Sequence, residues 1–589
     1  MISFIDTAMP LGNPSLCDRD CAEDVSAYIQ TFWDTVAQPT PVEPSSCDAV
    51  AGSINYGARQ LKILTRSEYQ NSVEDLLGVD FNAAQGLSTD ERVGFFFNNT
   101  HASIVPTSYS NYLIVGQEIA QRVSANNFAP ALNCSTPNQD CADDFISDLA
   151  PKIFRRPLTS DEIDTFSEMA NGSLTGGDVS AGIEMALEGM LSSPQFLYRH
   201  ELGELNPENS TIDNDAYELT SYEMATFLAY TFTGSTPDDI LLNAAENDLL
   251  RNEEEIQNQA RRLTSESDAK TVMGNFVASW LGTESLDAAV KDEDTWPGFM
   301  LLVPHLQNEI REVFATVMLD PDESFESLYN GNFTFVNETL ANHYGISGVR
   351  GNELQRVQTN NRGGILANGA FMSRWAEPVE SSPILRGVRV RRRMLCQDEL
   401  PDPPAGTFAA REQRLADLSD LLQDPTTTNR VKFHEITAGQ PCSTCHLEYI
   451  NPLGFGMEDF DSVGNVRSVD LNGNAIDSIG SVFAPNNYND LNEVEAFVGA
   501  RGLGQVISTL PSAQSCISEQ MFRYVIGVGH DSIDNDNPDG PTLAEAEQAG
   551  YSCEIDNLTQ SMMDESPRAM LERFSTLEAV RYRKAWARD

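Results

Sequence analysis

Positive charge is scarce in this chain: 38 lysines and arginines stand against 88 aspartates and glutamates, a net charge of −50 over 589 residues. Such a surface repels nucleic acid and anionic membranes, so neither is expected as a partner, and it suits saline surroundings. Long apolar runs are missing too. No window approaches about 18 consecutive apolar residues, so no transmembrane segment is expected. There is no P-loop, dinucleotide fingerprint or nucleophile elbow, and no repeat of fixed period. Histidine is rare as well. His101, His200, His305, His343 and His530 fall in no ligand-spaced cluster.

Apolar residues still make up 41% of the chain and aromatics 8%, enough to bury cores, and the length suits roughly three to five domains. The periodicity predicts a mainly α, multi-domain fold with small β-hairpin elements near the CxxCH region described below. "LKILTRSEYQNSVEDLLGVDF" reads as a helix with Val73, Leu76 and Leu77 on its apolar face. Thr159 to Glu162 offers capping residues for another. Residues 213–345 read as helical throughout. In "AKTVMGNFVASWLG" the pairs Val272/Met273, Phe276/Val277 and Trp280/Leu281 recur every four residues, and Ile310, Val313, Phe314 and Val317 repeat the pattern. Asn472-Gly473 between alternating residues signals a hairpin. The expected divisions are 1–37, helical domains over 48–125, 130–205 and 213–350, a domain over 355–495 containing the CxxCH, and a C-terminal helical domain over 500–589.

Ten cysteines are present. Two of them belong to the CxxCH, and Cys17/Cys21 and Cys134/Cys141 lie close enough in sequence to suggest disulfides and an oxidising, periplasmic or extracellular setting. For the remaining four, Cys516 with Cys553 and Cys47 with Cys396 are the favoured pairs. An exported chain should open with a basic and then apolar segment, and "MISFIDTAMPLGN" is not one, so the chain is expected to start inside a larger protein.

The chemistry concentrates in "GQPCSTCHLEYINPLGFGMEDFD". Haem c attachment needs two thiols on one helical turn and an adjacent imidazole, and Cys442, Cys445 and His446 supply them. Zinc would want a second ligand pair, and no other CxxC or HxxxH occurs. A redox CxxC would want a strand–helix setting, whereas this one lies in a polar loop. The expected cofactor is one haem c per chain, with His446 as proximal iron ligand. Two residues are candidates for the opposite face, His434 and Met457. "HDSIDNDNPDG" carries Asp531, Asp534, Asp536 and Asp539, a density of oxygen ligands that fits calcium, although its frame departs from an EF-hand loop.

The chain as a whole resembles the planctomycete-type cytochrome c-like proteins, a bacterial family of multi-domain proteins of unknown function. The resemblance rests on "LTRSEYQNSVEDLLG", "FRRPLTSDE" with "SPQFLYRHE", "YELTSYEMATFLAYTFTGSTPDDIL", "FTFVNETLANHYGISGV", "RGGILANGAF" and the CxxCH stretch with "CISEQMFRYVIG". It implies one haem c site on Cys442, Cys445 and His446, favours His434 over Met457 as distal ligand, and supplies no substrate. Residues 1–37 resemble the C-terminal part of a class I cytochrome c, with Met9 at the position of its loop methionine. The expected function is an exported haem c protein that transfers electrons, with a cytochrome c domain as redox partner. The alternatives are a haem oxidoreductase or peroxidase with an open distal site, and a cell-surface binding or assembly protein with a structural haem. The large helical body keeps the last of these in view, since a simple electron carrier needs only about 100 residues.

Overall fold

Helix starts are set locally by reciprocal caps. Thr65 accepts from the Glu68 N–H while Glu68 accepts from the Thr65 N–H, and the same box recurs at Thr159/Glu162 and Thr220/Glu223. The first of these helices ends at Gly78, whose φ of 66° is the left-handed conformation that glycine adopts at least cost.

The computed structural model describes residues 55–100, 104–132, 134, 136–205, 216–397, 406–485, 493–530 and 542–584. The expectations for residues 1–37, Met9, Cys17, Cys21, Cys47 and the aspartates at 531, 534, 536 and 539 lie outside the described residues. The fold is mainly α with small strand pairs. Strand β1 (Gln60–Ile63) leads into helix α1 (Arg66–Leu77) and pairs antiparallel with β2 (Tyr198–Glu201), setting Lys62 opposite Arg199. A four-stranded sheet ties Gly57–Ala58 to Tyr582–Lys584, then to Ala216–Glu218 and Glu204–Leu205. Residues 52–589 form one compact unit.

Among the described residues two hydrophobic cores fill this unit. One gathers Tyr69, Val73, Ile119, Phe145, Leu187 and Phe196. The larger is centred on helices α2 (Ser267–Leu281) and α3 (Phe299–Leu319), which pack along each other. The stripe read in the sequence is the one that is buried, from Val272 to Leu281 on α2 and from Ile310 to Val317 on α3. Phe276 stacks between Phe96 and Phe314 at ring separations of 5.1 and 5.5 Å. The segment 213–345 is not helical throughout, since Ala216–Glu218 and Phe333–Val336 are strands.

Helix α4 (Pro383–Met394) crosses this core and carries the second half of the chain. Around it lie α5 (Asn429–Thr437), α6 (Asn451–Phe455), the antiparallel pair β3 (Ile479–Phe483) with β4 (Val494–Val498), and α7 (Pro511–Ile526). At Asn472-Gly473 the chain makes a tight turn, with Gly473 at a φ of 86°. A single bridge, Val469 to Ala475, flanks it rather than two strands. Asp470 accounts for this, because its carboxylate accepts from the Asn472 and Asn474 N–H groups and so closes the turn on itself.

Cys134 bonds Cys141, as expected. The other pairing is corrected: Cys516 bonds Cys396, with 5.3 Å between their Cα atoms, and Cys553 is in a different disulfide. Neither Cys516–Cys553 nor Cys47–Cys396 is formed. The reason is tertiary. Helices α4 and α7 pack side by side, which brings Cys396, just beyond α4, against the buried face of α7.

Candidate haem c attachment site

Cys442 caps a single helical turn, Ser443–Cys445, and His446 opens the π-helical turn His446–Ile450 that follows. Both thiols are free and half-buried. The turn thus presents two sulfurs and an imidazole within five residues. π-Helical turns cluster at functional sites because the widened ring redirects the side chains.

A short relay fixes the imidazole. Thr437, buried on α5, donates its hydroxyl proton to the Phe433 carbonyl at 2.7 Å, so its oxygen accepts from Asn451 Nδ2, also at 2.7 Å. This turns Asn451 Oδ1 toward His446, where it lies 3.1 Å from Nδ1. Nδ1 must then be the donor, which leaves Nε2 with the lone pair. Among the described residues Nε2 has no hydrogen-bond partner. Burial holds the His446 pKa below its ordinary value, against the opposing hydrogen bond to Asn451. Burial pushes the Cys445 thiol up, and the neighbouring Cys442 adds to the effect.

Helix α4 holds this turn in place. Gly387 and Gly454 let α4 and α6 meet backbone to backbone: a Cβ on Gly387 would lie 2.5 Å from the Ile450 oxygen. Arg391 donates to the Tyr449 carbonyl at the end of the π turn and to Phe483 on β3, each at 2.7 Å. Arg386, fully buried, gathers the chain beyond α6 by donating to the carbonyls of Met457, Phe460, Asp461 and Met372 at 2.6 to 2.9 Å. Burial lowers its pKa to about 10, still charged at neutral pH. Helix α5 is tied at its start by Asn429, which donates to Glu458 and Ser381.

Cys442, Cys445 and His446 are therefore brought together. His434 lies on α5, which packs against the His446–Ile450 turn; its side chain is exposed and has no hydrogen-bond partner among the described residues. Met457 is fully buried in the larger core. Among the described residues no group of three or more His, Cys, Asp or Glu side chains is arranged to hold a metal ion, and no helix is long and apolar enough to cross a membrane. Asn451, Thr437 and Arg386 escaped the sequence reading. Their only trace is polar residues beside apolar ones, in "FHEIT", "INPLGF" and "SPILRGV", and burial decides which of those matter.

Four family models match the chain in succession, each described as a protein of unknown function. They are PSD3 (DUF1587) over 62–125, PSD5 (DUF1595) over 141–201, PSD4 (DUF1592) over 219–346 and PSCyt3 (DUF1588) over 362–470. The last contains the CxxCH and all of α4 to α6. Together they cover more than half of the chain. The chain belongs to the planctomycete-type cytochrome c-like family. No curated protein and no solved structure matches it.

Proposed function

We propose that this is an exported c-type haem protein that transfers electrons, with Cys442 and Cys445 holding one haem c by thioether bonds and His446 as proximal ligand. The relay Thr437–Asn451–His446 carries the reading. A histidine poised to ligate iron through Nε2 commonly donates its other N–H to a fixed acceptor, and here the acceptor is itself oriented by a third group. The donor set fits: two free thiols on one turn, half-buried, beside an imidazole whose tautomer is set. Once bound, haem supplies a one-electron iron couple.

The chain's own residues position and shield. Asn451 and Thr437 orient the imidazole, Arg391 and Arg386 anchor the segments on either side, and His434 on α5 would be the candidate second iron ligand. The redox partner would be a cytochrome c domain. Disulfides in the body of the fold accord with maturation in an oxidising compartment.

The test is an absorption spectrum of chain matured in a periplasm that has haem-attachment machinery, taken oxidised, reduced and with CO. One covalent haem per chain, low-spin bands and no CO shift are expected. A high-spin spectrum that CO readily changes would replace electron transfer with chemistry at an open site. Chain that matures without haem would overturn the proposal.

A further inference from the structure

A second polar centre lies apart from the CxxCH turn, between α1, β1 and α2. It is a cavity of about 290 Å³ lined by Lys62, Asn71, Tyr230, Asn275, Arg311 and Tyr524, among others. Three carboxylates also line it, each with a partner, although Glu284 Oε2 is buried without one. Glu68 takes Arg199 and the Thr65 N–H, Asp90 takes the Arg66 N–H and Asn99, and Glu284 takes Arg92. Arg199 is matched in turn by Glu68 and Glu201.

Two cations are left over. Lys62 is 4% exposed, and among the described residues its amine has neither a hydrogen-bond acceptor nor a carboxylate within 4 Å. Arg311 donates to Asn275 and has no ion pair within the same limit. In addition, Arg199 Nε and the Thr231 hydroxyl on the cavity wall are buried without partners.

This arrangement is costly. Lys62 faces Arg199 directly across the β1–β2 ladder, where like charges repel, and burial strips it of water. The chain as a whole is strongly acidic, so a pocket with two unmatched cations runs against the general field. Groups held at such cost are characteristic of ligand sites. We infer that this cavity is a binding site for a small oxyanion-bearing organic molecule, with Lys62 and Arg311 meeting its negative charge, the asparagines its other polar atoms, and Tyr230 and Tyr524 its carbon frame.

The pH dependence follows from the surroundings of Lys62. Its amine is lowered to about 8, first by burial and then by Arg199, against Glu68 and Glu201. Asp90, Tyr230 and Tyr524 line the same cavity. The amine is protonated below pH 8 and loses its charge above it, so affinity for an anion should fall as pH rises through that value.

The probes are succinate, inorganic phosphate and neutral succinamide, titrated calorimetrically into the full chain at low salt. Saturable binding of an anion but not of succinamide is expected, and the two anion arms tell carboxylate from phosphate. Lys62→Met and Arg311→Gln should each weaken binding about tenfold or more, as loss of one charge-assisted contact does. Lys62→Met should at the same time leave the melting temperature unchanged or higher, because it removes an unmatched buried charge. The inference is overturned if neither anion binds saturably, if either variant binds as tightly as the parent, or if Lys62→Met lowers stability.

Discussion

The CxxCH turn and the Lys62 cavity both bury polar groups, and they do so in opposite ways. At the turn, Thr437, Asn451 and His446 satisfy one another in series, and one nitrogen lone pair is left without a hydrogen-bond partner among the described residues. At the cavity, Arg199 is matched by Glu68 and Glu201, while Lys62 and Arg311 have no ion pair within 4 Å among the described residues and Glu284 Oε2 is buried without a partner. A completed network orients a group; an incomplete one leaves charge for something else to meet. The α2–α3 core differs from both: its burial is mainly apolar, and the buried Glu309 on α3 accepts from the Thr334 and Tyr344 hydroxyls.

The sharpest break at the turn is Cys442→Ala with Cys445→Ala. Covalent haem should disappear entirely, measured as haem staining on a denaturing gel, while the circular dichroism of the helical body stays close to the parent. If haem stays covalently bound, the thiols are not its attachment points.

Next comes the frame. Arg386→Met should cost about 3 kcal/mol or more in urea unfolding, because four buried carbonyls lose their donor. Cys396→Ser with Cys516→Ser should cost a comparable amount, about 3–5 kcal/mol, since the bond closes a loop of 120 residues. A loss below about 1 kcal/mol in either case would mean that packing alone holds α4 against its neighbours.

A smaller effect lies away from both sites, at Glu554. Its carboxyl is pushed from 4.5 to about 7, mainly by burial, while it accepts from the Glu578 N–H at 3.1 Å. The folded state keeps a proton that the unfolded chain has already released, so this contribution is complete below pH 4.5 and is lost as pH climbs through 7. Glu554→Gln should therefore be more stable than the parent by about 1–3 kcal/mol at pH 8 and nearly equal at pH 4, measured by thermal melts across that range.

The subtlest test sharpens the comparison. Asn451→Leu removes the acceptor from His446 without touching the thiols. Haem should still attach, but its reduction potential should shift by on the order of tens of millivolts, as loss of a group that orients a metal ligand does. Asn451→Asp should restore an acceptor and move the potential in the negative direction, since a carboxylate makes the imidazole more basic. If neither variant moves the potential, the relay is only structural.

Much of this could be read from residues alone, wherever the physics is local. Capping boxes at Thr65, Thr159 and Thr220 need only neighbours three residues away, and the apolar stripes of α2 and α3 need only a period of 3.6. The placing of two thiols and an imidazole on one turn is likewise a matter of spacing over five residues. The mainly α class follows from these patterns, whereas the family rests on the likeness of whole sequence stretches.

Tertiary structure decided the rest, because the groups concerned are far apart in sequence. Cys396 meets Cys516 only because α4 and α7 pack together. Asn451 sets the tautomer of His446 only because Thr437, 14 residues upstream, folds back onto it. Lys62 becomes a buried, unmatched cation only when β2, more than a hundred residues later, lays Arg199 across from it. Periodicity shows that a residue faces inward; which polar partner it finds there depends on long-range packing that no local pattern encodes.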